Sequence, residues 1–91
     1  MDQNLKFNFR NKHWNCRTII DSSEFPCLVF VEFKDEEIIR EFGDETTLKT
    51  DCEILLPRKD DYPQLIALKQ SILNALKPMS EFSVAKEKIK H

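Results

Sequence analysis

Nothing in the 91 residues approaches the run of about 20 apolar side chains that a membrane helix needs. The opening stretch MDQNLKFNFR lacks the apolar core of a secretory signal, so a cytoplasmic location is expected. The cysteines, Cys16, Cys27 and Cys52, are odd in number and contain no CxxC pair, which argues against a disulfide framework. Each lies inside an apolar strand pattern, where a free thiol behaves as a small hydrophobe. Cys16, Cys27, Cys52 and His13 also lack the close ligand spacing of structural zinc sites, and on a strand His13 points away from Trp14 and Cys16. Histidine is scarce too. His13 and His91 are the two present, and no spacing sets Cys27 or Cys52 beside His13 as a nucleophile would need. There is no nucleotide motif, internal repeat, low-complexity run or linker. These absences leave no catalytic residue, metal or cofactor to name, and a non-enzymatic protein is the expectation.

What is present is a charged single domain. Charged residues make up 33% of the chain and apolar ones 41%, but the apolar residues are clustered and periodic, which separates the chain from disordered sequences. The net charge of −2 is unevenly spread: residues 1–20 balance at +3, residues 21–53 at −8 and residues 54–91 at +3. Acids gather at Asp35, Glu36, Glu37, Glu41, Asp44 and Glu45, which read as a solvated rim on turns that deters edge-to-edge association.

The apolar pattern is mostly of period two. Leu5, Phe7 and Phe9 share one face of a first strand, and the phase then switches so that Trp14, Cys16, Thr18 and Ile20 align. A hairpin turn at Asn11-Lys12 accounts for the switch, asparagine tolerating positive φ; a bulge in one bent strand is the alternative. Residues 25–56 read as three consecutive antiparallel strands. In 27–34, Cys27, Val29, Val31 and Phe33 line one face while Leu28 and Phe30 begin the other, the mark of a central strand. Residues 37–42 fit a strand with Ile38 and Phe42 on one face and Ile39 opposite, in preference to a short helix capped by Asp35 and stopped at Gly43. Residues 46–56 alternate as one long strand, Lys49, Asp51 and Glu53 facing water. A helix follows, capped by Asp61, with Pro63 in its first turn and Pro78 barring its continuation. Leu65, Leu68, Ile72 and Leu76 form its apolar stripe, broadened by Tyr62, Ile66 and Leu73, with Lys69, Gln70, Asn74 and Lys77 on the wet side.

The predicted fold is therefore α+β: an antiparallel meander of four to five strands, then one C-terminal amphipathic helix packed on the sheet. The domain spans 1–78, and 79–91 form a flexible or weakly helical tail in which Phe82, Ala85 and Ile89 have helical spacing.

One helix covers one sheet face. The other is expected to carry Ile19, Leu28, Phe30, Ile39 and Leu55, a contiguous apolar patch of the kind that marks an interface with a second copy (a homodimer) or a partner protein, unless Phe82 and Ile89 fold back over it. A different reading uses Arg10, Lys12, Trp14 and Arg17 as contacts for single-stranded nucleic acid, cations for phosphates and a ring for stacking. The layout of sheet and helix is similar to that of the transcriptional-coactivator and Whirly type of single-strand binders, a likeness of architecture. The acidic middle of the chain weighs against that reading.

Overall fold

A computed structural model describes residues 2–21, 23, 26–51, 54–59 and 61–79. Four strands, β1 (Asp2–Phe9), β2 (Lys12–Asp21), β3 (Cys27–Phe33) and β4 (Glu45–Thr50), pair antiparallel in chain order to form one sheet. Between β3 and β4 lies a short helix, α1 (Glu36–Phe42), and after β4 the long helix α2 (Pro63–Leu76). The expected α+β meander with a covering helix is what the chain adopts, with four strands and a second helix among the described residues.

The inner sheet face is the alternating set that the sequence marks out. Leu5, Phe7, Phe9, Trp14, Cys16, Ile20, Cys27, Val29, Val31, Phe33 and Leu48 are buried in one core that also takes in residues of α1 and α2. Leu68, Ile72, Leu73 and Leu76 are fully buried on the helix side, each such side chain contributing about 2 kcal/mol of apolar transfer energy. The helix packs chiefly against β1. Beyond Leu76 the chain turns, with the Met79 amide donating to the Leu76 carbonyl at 2.8 Å, and Pro78 ends the helical run as expected.

Five local expectations are corrected. The hairpin turn is Arg10-Asn11, not Asn11-Lys12: both residues have positive φ (54° and 59°), and Phe9 pairs with Lys12. Two left-handed residues make the turn whose twist matches the flanking strands.

Residues 37–42 are helix, not strand. Asp35 sits at the N-cap with its carbonyl accepting from the Ile39 amide at 3.0 Å, and Gly43, at φ 92°, closes the other end. Ile38 is buried in the core and Ile39 and Phe42 pack beside it, so all three turn inward from one helix face.

The strand expected over 46–56 ends at Thr50. Asp51 Oδ1 accepts from the Ile54 amide (2.8 Å) and Thr50 Oγ1 donates to the Ile54 carbonyl (2.6 Å), folding the chain back so that Leu55 bridges to Thr50. The reversal flips the phase: Ile54 is 57% exposed and Leu55 only 8%, which takes Leu55 out of the outer face and into the core.

Finally, Asp61 does not cap α2. The N-cap is Tyr62, with no side-chain cap bond, and Lys69 is buried rather than wet. The expectations for Phe82, Ala85 and Ile89 lie outside the described residues, as do those for Cys52 and Glu53.

Candidate interaction surface

The face turned away from α2 is built in rows. The register places Arg17, Glu32 and Glu45 side by side across β2, β3 and β4; the next row is Ile19, Phe30 and Thr47; the third is Asp21, Leu28 and Lys49. Ile19 is 39% and Phe30 41% exposed, and Leu28 is partly covered. The result is an apolar centre with charged residues on either side.

Of the five residues expected on this face, Ile19, Leu28 and Phe30 stand together. Ile39 packs on the core from α1, and Leu55 lies inside it. The patch is thus smaller than the sequence implies and centred on β2 and β3.

Of the four residues expected to touch nucleic acid, Arg10, Lys12 and Trp14 are engaged in contacts within the domain. The Trp14 ring is buried, its Nε1 donating to the Phe9 carbonyl at 2.9 Å. Arg10 lies over the Phe9 and Phe42 rings and donates to Glu41, 2.7 Å from Nη1 to Oε1. The hydrogen bond from Arg10 holds the Glu41 carboxyl below its ordinary range. Lys12 sits over the Trp14 ring and reaches Glu37 at 3.4 Å. These contacts clasp α1 to the hairpin tip. Arg17 is apart from them, on the outer face.

At the β4 side, the outer face runs into a cleft of about 560 Å³. Arg17, Ile19, Phe30, Glu45 and Thr47 line it from the sheet, and Arg58, Asp61, Leu65 and Lys69 from the loop and α2. Lys69 and Asp61 form an ion pair at 2.8 Å with both side chains 3% exposed. Burial works against the Asp61 charge. Hydrogen bonds from the Arg58 amide (2.9 Å) and from Lys69, with the attraction of both cations, outweigh it and hold the carboxyl below its usual value.

The hydrogen-bond pattern also fixes which way the β4 backbone faces. The Phe33 amide donates to the Asp44 carbonyl at 2.9 Å, so Asp44, Thr46 and Leu48 turn their polar groups toward β3. Glu45, Thr47 and Lys49 turn theirs outward. The Lys49 carbonyl is taken by the Leu56 amide at 2.8 Å. Glu45 and Thr47 face the cleft.

Cys16 offers no reactive thiol: burial pushes it up to about 12, with the nearby Lys34 and Asp35 acting in opposite directions. Among the described residues there is no group of three or more metal-ligating side chains, and no helix is long and apolar enough to cross a membrane.

The cleft's far wall escapes the sequence reading, which puts Lys69 in water. Its spacing carried the signal, since Lys69 lies four residues from both Leu65 and Leu73 and three from Ile72. Compared with known proteins, the chain matches no family model, no curated protein and no solved structure.

Proposed function

We propose that this domain is a non-enzymatic interaction module that binds protein through the outer face of its sheet, either a second copy of itself or a different chain. The observation that carries this reading is the neighbouring pair Ile19 and Phe30, about two-fifths exposed on central strands and flanked by charged rows. An aromatic beside a β-branched residue at the centre of a patch, ringed by polar groups that exclude water on docking, is the usual seat of interface energy. Single-stranded nucleic acid is the weaker reading, because Arg10, Lys12 and Trp14 are engaged in intramolecular contacts.

Phe30→Asp tests the proposal. Because Phe30 projects from the outer face, the variant is expected to keep the wild-type thermal midpoint to within a few degrees, a change of under about 1 kcal/mol. Light scattering should show wild-type protein at twice the 10.8 kDa chain mass and the variant at the chain mass, if the partner is a second copy. If the partner is a different chain, the variant loses binding to it with no change in mass. Unfolding of the variant would place Phe30 in the core and defeat the reading; so would unchanged mass together with unchanged binding.

A further inference from the structure

The cleft beside β4 has three features that point to one kind of occupant. Glu45 and Thr47, both lining it, turn their main-chain amide and carbonyl groups away from β3 along the open edge, two residues apart, the spacing at which an added strand forms hydrogen bonds. Lys69, also lining it, has three N–H donors, of which Asp61 takes one; no other hydrogen bond to Lys69 is present among the described residues. A nearly dry ammonium with unused donors favours an anionic acceptor. The third feature is a stop. The Leu56 amide occupies the Lys49 carbonyl and Pro57 follows, so a strand laid along β4 cannot run past that end. Two cations line the same cleft: Arg58 follows Leu56 by two residues in the chain, and Asp61 joins the Arg58 amide to the Lys69 ammonium.

We propose that the cleft captures the extended C-terminal segment of a partner protein, its main chain pairing with Glu45 and Thr47, its terminal carboxylate held by Lys69 and Arg58, and an apolar side chain resting on Ile19 and Phe30. The cleft's size is within the ~300–1,000 Å³ of ligand-sized pockets and suits a few residues of extended chain. This deepens the reading of the outer face as a protein-binding surface and rests on it.

The test uses fluorescein-labelled hexapeptides of alternating threonine and valine with valine, leucine or phenylalanine last, each made as a free acid and as a C-terminal amide. Fluorescence anisotropy with the full chain should show the free acids binding at least ten-fold more tightly than the amides. Lys69→Met combined with Asp61→Asn removes both charges together, so neither is stranded in the interior, and should narrow the gap between acids and amides, Arg58 remaining. Thr47→Pro should abolish binding of both forms while the domain stays folded, because the Thr47 amide makes no bond to β3. Equal binding of acids and amides, binding untouched by Thr47→Pro, or no binding by any peptide would overturn the proposal. A dimer that Phe30→Asp dissociates, in a protein that takes no peptide, would overturn it and leave the outer-face reading standing. Phe30→Asp without effect on either assay would defeat both.

Discussion

Lys69 and Asp61 are where the chemistry of single residues matters most in this domain. Two buried charges gain little net stability, because the attraction between them is largely cancelled by the water each has lost; removing either alone strands the other. The pair makes folding sensitive to acid in a defined direction. The folded carboxyl of Asp61 lies below its ordinary value of 3.8, so on acidification the unfolded chain takes up a proton first. The stability that the ionised group contributes is complete above about pH 5 and is lost progressively as pH falls through the unfolded value and then the lower folded one. Urea denaturation between about pH 2.5 and 6 should show this loss in the wild type and a shallower dependence in Asp61→Asn. An identical pH dependence in the two proteins would mean that Asp61 titrates alike in both states. The burial of Lys69 was misread from the sequence, which puts it in water although Leu65, Ile72 and Leu73 share its face. What the sequence withheld was its partner, since Asp61 stands where a capping residue is expected and instead reaches along the helix.

Among the elements, the hairpin of β1 and β2 shows how much an alternating pattern reveals. The change of phase between Phe9 and Trp14 called for a turn or a bulge, and it is a turn, one residue earlier than asparagine's tolerance of positive φ suggested. Arginine gives no such signal, yet Arg10 adopts φ 54°, its side chain held by Glu41 and the rings of Phe9 and Phe42. A β-branched residue in the left-handed region is penalised by about 1–2 kcal/mol. Asn11→Val should therefore lower stability by that amount, read as a shift of the urea midpoint, whereas a loss near zero would mean that the turn can change type. In α1, Ile38 and Phe42 lie four apart, a spacing that satisfies period two and the helical repeat alike, so local pattern could not decide. Packing decides it: only the helix also turns Ile39 toward the core. The reversal after Thr50 was hidden for a different reason, because it depends on Asp51 and Thr50 side chains bonding the backbone of Ile54.

For the whole molecule, the order of strands, the inner face and the covering helix follow from sequence periodicity. The outer face was legible where the phase was secure, at Ile19, Leu28 and Phe30, and misread where the chain changed element, at Ile39 and Leu55. The cleft was not legible at all, since it joins Phe30, Thr47, Arg58 and Lys69 from four separate parts of the chain. The meander itself has a further consequence. Among the described residues every strand pairs with its neighbour in sequence, whereas α2 lies against β1 and so joins the last described element to the first. Short loops close at small entropic expense and long ones later, so the sheet is expected to assemble in the transition state and α2 to dock after it. Stopped-flow kinetics in urea should then find Leu73→Ala acting on the unfolding arm and Val29→Ala mainly on the refolding arm. Refolding slowed equally by both would place the helix in the nucleus. If the helix does dock last, the sheet's inner face is briefly open each time the chain folds, and the lifetime of that state, set by how fast α2 finds β1, governs the domain's exposure to aggregation.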